Sequence, residues 1–306
     1  MYALPVVDTH VHLYDVERLQ YSWLGNIPQL NRTFLLDDYA AAVGTAPIEQ
    51  FVFVEVAAHA DDALKEARWV DSHCAVGRIH HGIRAQGPAM GAIVAQARVE
   101  LGAAVEDDLS MLLEIQRVTG IRRIVAAPFQ TDPAFCLRPL FVEGVKRLSE
   151  HNLSFDIGAP ASYLPAVIQF ARQCGDVRLV LDHLGMPLIK DAIMEPWRQQ
   201  IRELAAMPHV YCKISGLLSE AGEKWSVSAI APYVLEAVNA FGFDRIMFGS
   251  DFPVQNLVGS FTVWFDMVSS ILGSASQEEL RRFFCDNARR VYRISAMPAR
   301  PRGVTS

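Results

Sequence analysis

Cysteine is scarce in this sequence: five residues, at positions 74, 136, 174, 212 and 285, with no two spaced as CxxC. An odd, scattered set excludes a disulfide framework and a zinc knuckle, and reads as buried, reduced thiols of a cytoplasmic protein. Long apolar runs are also missing, none approaching the ~18 residues a membrane span needs. Positive charge is in deficit, with 28 Lys and Arg against 34 Asp and Glu, a formal net charge of −6. No basic face for nucleic acid is implied. The start, "MYALPVVDTH", has no charged, then apolar, then small-residue pattern, so no secretory leader is expected. No GxGxxG turn follows the first apolar run, which argues against an open dinucleotide-binding sheet, the second choice of architecture.

What is present is a 306-residue chain with 51% hydrophobic residues, enough for one large core. Apolar β-rich runs alternate with helical patterns from end to end. The spacing predicts strands over 6–13, 50–57, 76–84, 120–127, 153–159, 177–183, 209–215 and 244–251. Helices are predicted over 59–73, 106–119, 138–151, 162–174, 194–206, 228–241 and 276–291. Val-, Ile- and Leu-rich strands alternating with helices imply a parallel sheet covered on both faces. Eight such units without a composition break predict a single α/β domain, a (β/α)8 TIM barrel over 1–296, and a frayed tail over 297–306.

Chemistry in such a barrel sits at the C-terminal ends of the strands. In "VVDTHVHLYD", His10 and His12 stand two apart and face the same side of a strand. His183 ends the sixth run in "LVLDHLGMP", and Asp251 ends the eighth in "IMFGSDFPV". Glu55, His81, Arg84, Arg122, Lys213 and Ser215 interrupt other apolar runs near the same end. Each taken alone has a plainer reading: Asp251 as a helix cap, His183 as a core histidine, Glu55 as the ion-pair partner of Arg84 or Arg122. Their collection at one end favours a catalytic mouth. His59, His73, His151 and His209 fall on helices or element starts, and no role is assigned to them.

The ordered set "DTHVHL", "LDHLGMP", "CKISGL", "MFGSDFPV" and "DNARRVY" resembles the amidohydrolase superfamily, in its lactonase-rich branch, over nearly the whole chain. The opening "HVHLYDVERLQYSWL" and the run "CKISGLLSEAG" are most similar to L-rhamnono- and L-fuconolactonases; the branch also holds the 2-pyrone-4,6-dicarboxylate lactonase. The resemblance implies a hydrolase that opens the ring ester of a sugar-acid lactone in carbohydrate catabolism. Asp251 would be the general base, and His10, His12 and His183 would orient water or polarise the carbonyl. The same four residues could hold one divalent ion, zinc or manganese; several members of the branch work without metal, and both readings stay open. Glu55 stands where the sugar lactonases tend to carry Gln, and a carboxylate there favours a hard or borderline cation.

The pyrone lactonase places a basic residue where this chain has Met186. Without it, Arg122 and Lys213 suffice for a lactone oxygen and hydroxyls or for one carboxylate, so a neutral sugar lactone is the better fit. Trp23, with Tyr21 and Trp225, could stack on the sugar ring. A metal-dependent decarboxylase or hydratase of the same superfamily is the alternative enzyme, expected to carry tight zinc and a more basic pocket. A non-enzymatic barrel would be expected to lack the Asp–His set. A small-molecule lactone is the only partner expected, and the protein itself is either a monomer or a homo-oligomer.

Overall fold

The computed structural model describes residues 4–76, 79–80, 83–84, 87–126 and 128–296. Eight parallel strands follow one another in sequence order: β1 (Val6–Val11), β2 (Ile48–Val54), β3 (Ala89–Gln96), β4 (Val118–Arg122), β5 (Ser154–Ile157), β6 (Arg178–Leu181), β7 (Val210–Ile214) and β8 (Ile246–Phe248). Strands of a parallel sheet covered on both sides must bury both faces, and these do: all six residues of β1 are buried, as are those of β4, β5 and β8. Helices pack outside. Among them α8 (Val227–Phe241) starts at Ser226, whose hydroxyl accepts the Ala229 amide, and stops at Gly242 with φ +65°. The architecture is a (β/α)8 barrel. Among the described residues no helix is long and apolar enough to cross a membrane.

The seam between β8 and β1 is made by loop residues. β8 has three residues, and the chain beyond it turns to meet β1: Asp251 N donates to His10 O (2.9 Å), His12 N to Phe252 O (2.7 Å), and Ser250 N to the Asp8 carboxylate (2.8 Å). The Thr9 hydroxyl adds a bond to Phe248 O (2.6 Å). The opposite end of the barrel is plugged by the last helical turn, α11 (Asn287–Val291), and Tyr292. Their buried residues Ala288, Val291 and Tyr292 pack on Val7, Val52, Val94, Val180 and Met247 from the strand interiors. The "DNARRVY" run thus has a structural meaning: the Asn287 amide donates to Phe243 O and Ile246 O, and Tyr292 reaches a buried carboxylate.

The third strand corrects the sequence reading. Helix α2 (Ala63–Val76) runs into the expected 76–84 strand, and Ile79–His80 pairs with Ile83–Arg84 in a separate two-stranded antiparallel hairpin. The barrel strand is "AMGAIVAQ", seven of whose eight residues are buried. Its small residues give a weak strand signal, yet they suit the site: a Cβ on Gly91 would stand 2.7 Å from Ile294. The helix predicted over 106–119 ends at Leu112, and the strand expected over 120–127 begins earlier, at Val118, and ends at Arg122. The tail 297–306 lies outside the described residues.

Candidate active site

β1 delivers two histidines to one point. The chain continues extended past Val11, so His10 and His12 face the barrel mouth together, with their Nε2 atoms 3.1 Å apart. His12 Nδ1 lies 2.8 Å from the Val54 carbonyl, which can only accept, so that nitrogen carries the proton and Nε2 keeps its lone pair. His10 Nδ1 faces the Asp182 carboxylate at 3.4 Å and Lys213 Nζ at 3.3 Å. Asp251 comes from the seam, its Oδ1 3.7 Å from each of the two Nε2 atoms and 3.9 Å from His183 Nε2. His183 Nδ1 is tied to the Ser215 hydroxyl at 2.9 Å.

Two of these residues adopt left-handed backbone that non-glycine residues rarely occupy. Asp251 has φ +65° and His183 φ +53°, with Leu184 and Met186 beside it also positive. Such conformations persist where surrounding bonds over-determine them. Here the seam hydrogen bond holds Asp251, and Ser215 holds the His183 ring.

Electrostatics follow from burial. Asp251 is 5% exposed, and burial pushes its carboxyl up to about 6, against the pull of His183 and Arg122. Burial pushes His12 down to about 4, with Arg122 adding to the effect, and lowers His10 and His183 as well. All three imidazoles are therefore neutral near pH 7. Asp182 differs: burial opposes its charge, but Lys213, His10 and Arg122 hold it well below the usual carboxylate range.

The expected binding residues separate into two groups. Lys213 is fully buried, bonded to Asp156 (2.6 Å) and Asp182 (3.0 Å), and has no access to the mouth. Arg122 Nε pairs with Glu55 Oε1 at 2.6 Å, and its Nη1 lies 3.4 Å from Asp182 and from His10 Nε2. The Ala57 amide donates to the second oxygen of Glu55 (2.6 Å), so this carboxylate is engaged within the protein. Ser215 is fully buried, and its hydroxyl meets the His183 ring. Trp23 is half-buried just beyond β2, its indole N–H donating to Val56 O. Arg84 belongs to the hairpin, not to a barrel strand, and His81 lies outside the described residues.

Sequence reasoning passed over Asp182, Asp156 and Asp8. Each is a carboxylate inside or at the end of an apolar strand, and that placement was the available signal, because a buried Asp requires partners. Asp8 receives Ser250 N and the Tyr39 hydroxyl; Asp156 receives Lys213 and the Tyr292 hydroxyl (2.8 Å).

The donor set fits a divalent cation. Zinc bonds to imidazole nitrogen and carboxylate oxygen run about 2.0–2.2 Å, which puts neighbouring ligand atoms about 3–3.5 Å apart. His10 Nε2, His12 Nε2 and Asp251 Oδ1 form a buried triangle near that size, and His10, Asp182 and His183 form a second, overlapping cluster. Metal-binding histidines commonly give their other N–H to a carbonyl or carboxylate, as His12 does to Val54 and as Asp182 allows for His10.

A family model described as Amidohydrolase matches residues 7–294. An uncharacterized protein of Sinorhizobium fredii, y4mH, is 29% identical over 96% of this chain and 100% of its own length. An L-fucono-1,5-lactonase of Burkholderia ambifaria is 34% identical over 50% of this chain and 52% of its own, and one from Burkholderia multivorans is 36% identical over 46% and 49%. The matches to the two lactonases thus span about half of each protein. An amidohydrolase of Burkholderia multivorans solved with bound zinc superposes with a TM-score of 0.80 at 26% identity, over 96% of this chain and 100% of its own.

Proposed function

The chain belongs to the amidohydrolase family, and from that premise we propose that it hydrolyses the ring ester of a neutral sugar-acid lactone, such as L-fucono- or L-rhamnonolactone. The observation that carries this reading is Asp251: a buried carboxylate, raised to about 6, within 3.7–3.9 Å of three neutral imidazoles. A base poised near working pH is what water activation requires.

Asp251 takes a proton from a water molecule as that water attacks the lactone carbonyl carbon. The carbonyl π electrons move to oxygen, giving a tetrahedral oxyanion. His183, fixed through Ser215, presents Nε2 towards the same space and donates a hydrogen bond to that oxyanion. Collapse breaks the ring carbon–oxygen bond, and the proton held by Asp251 passes to the departing ring oxygen. The product is the hydroxy acid, which ionises near neutral pH to its carboxylate and one released proton. His10, His12 and Asp251 would hold a zinc or manganese ion, which when bound supplies Lewis-acid polarisation of the ester carbonyl.

A neutral substrate is favoured by the state of the cations. Arg122 and Lys213 are engaged by Glu55, Asp156 and Asp182, and Met186 stands where a basic residue would be needed for a dicarboxylate. The relatives named L-fucono-1,5-lactonase support the same class.

A pH-indicator assay over a panel of aldonolactones, with pyrone dicarboxylate as comparator, tests the proposal. An aldonolactone should be hydrolysed best, and Asp251→Asn should lower turnover by about 10²–10⁴-fold. A tenfold or greater preference for the dicarboxylate, or near-wild-type turnover in the folded variant, overturns it.

A further inference from the structure

Inside the barrel, out of reach of solvent, lies a layer of charge. Lys213, Asp156, Asp182 and Tyr292 are fully buried, and so is His10. Asp156 and Lys213 stand level with Val180 and Met247 on neighbouring strands, which belong to the apolar interior packed on the closing segment. The Tyr292 hydroxyl donates to Asp156 Oδ2 (2.8 Å), and Lys213 Nζ donates to the same oxygen (2.6 Å). Lys213 Nζ also lies 3.0 Å from Asp182 Oδ1 and 3.3 Å from His10 Nδ1. Asp182 Oδ1 is 3.4 Å from that ring nitrogen, and its other oxygen faces Arg122 Nη1 at 3.4 Å. A continuous run of polar contacts thus links the C-terminal plug of the barrel to the imidazole beside Asp251.

Stability does not account for this layer. Burying an ion pair carries a desolvation cost that its attraction barely offsets, and apolar side chains of similar volume often do as well or better. The rest of that interior is indeed apolar, filled by Val7, Val52, Val94, Val180 and Met247. What the charges supply is direction. At His10 Nδ1 one neighbour, the ammonium, can only donate, and the other, the carboxylate, can only accept. Their placement settles which ring nitrogen carries the proton, and so whether Nε2 turns a lone pair or an N–H towards His12 and Asp251.

We infer that Lys213 is a positioning residue: clamped between Asp156 and Asp182, with Tyr292 bracing Asp156 from the plug, it fixes the orientation of the His10 ring and the nitrogen that holds its proton. The lysine that looks like a substrate-binding cation in sequence therefore serves the reaction without touching the substrate. This inference rests on the lactone-hydrolase reading above for the reaction it serves.

Lys213→Met leaves two buried carboxylates unpaired and endangers folding, so the test uses gentler changes along the same run. Tyr292→Phe removes one hydroxyl, and Asp156→Asn removes one charge. Val291→Ala is the control, a truncation in the same plug by a residue that packs on the apolar interior. With the best aldonolactone, kcat should fall roughly tenfold or more in Tyr292→Phe and Asp156→Asn, towards the hundredfold that a 1 Å misplacement can cost. KM should stay within about twofold, the sign of an interaction felt in the transition state alone. Val291→Ala should lower Tm yet keep kcat within about twofold, because it loses packing and not alignment. In full-length protein labelled with 15N-histidine, the ring nitrogen signals of His10, assigned by their loss in His10→Gln, should move in the first two variants and stay in the control. Wild-type kcat in Tyr292→Phe and Asp156→Asn, unmoved His10 signals, or an equal loss of kcat in Val291→Ala would each overturn the inference. A wild-type enzyme that hydrolyses no aldonolactone overturns the proposed function instead; the nitrogen signals, which need no substrate, then decide by themselves whether the clamp governs His10.

Discussion

Behind the site a second carboxylate pair shows how burial sets protonation. Glu66 is buried in α2, both of its oxygens 3.3 Å from the Val56 amide, and burial together with the Glu55 charge raises it to about 8. With an unfolded value near 4.5, the folded protein keeps a proton on Glu66 that the unfolded chain releases. Between about pH 4.5 and 8 the folded state therefore binds more protons at this position, and its contribution to stability falls as pH rises. Glu66→Gln mimics the protonated form. Thermal melts from pH 5 to 9 should show the variant losing less stability than the wild type on the alkaline side, and parallel pH profiles would refute the assignment. The contrast with Asp182, held ionised by Lys213, shows that partners and not residue type decide charge in this interior.

The loop after β6 and the start of α7 (Leu217–Ala221) act as one element, because each needs the other's shape. His183 sits in left-handed backbone, and its ring fills the space where Gly216 lacks a side chain. At Gly216 φ is +68°, and a Cβ would stand 2.7 Å from His183 Nδ1 and 2.9 Å from Cγ. Gly216→Ala should therefore destabilise the fold by about 1–3 kcal/mol in denaturant melts and displace the His183 ring, lowering kcat. Gly175→Ala serves as the control, since a Cβ there meets nothing within 4 Å and its φ is ordinary. Equal behaviour of the two variants would remove the argument. The motifs "LDHLGMP" and "CKISGL" were legible separately; that a ring from one fits against a glycine from the other was not, since thirty-odd residues separate them in the chain.

At the scale of the whole barrel, closure and site are the same structure. Asp251 reaches the two β1 histidines because the seam is stitched by its own amide to His10 O and by His12 N to Phe252 O. A cation held by His10, His12 and Asp251 would bind across that seam and stabilise the folded state by mass action. At a hundredfold excess over Kd this amounts to about 2.7 kcal/mol, a rise of several degrees in Tm. Melts with added zinc or manganese should show that rise in the wild type and lose it in His12→Gln. An unchanged Tm, with no ion bound by metal analysis, would leave the histidines as hydrogen-bonding groups around Asp251.

The barrel, and the gathering of His10, His12, His183 and Asp251 at one end of it, were legible in local pattern, because strand alternation, apolar runs and short motifs are properties of neighbouring residues. Strand β3 escaped for the same reason: "AMGAIVAQ" is strand-like only when the packing of Gly91 against Ile294 is known, whereas "VGRIHHGIR" has the alternation of a strand half open to solvent. The division of the charged residues was decided by tertiary structure alone. Lys213 and Arg122 look like substrate-binding cations in sequence, and only their distances to Asp156, Asp182 and Glu55 show them engaged inside the barrel. A charge's role depends on what is within a few ångströms of it, and in a closed barrel those neighbours come from strands far apart in the chain.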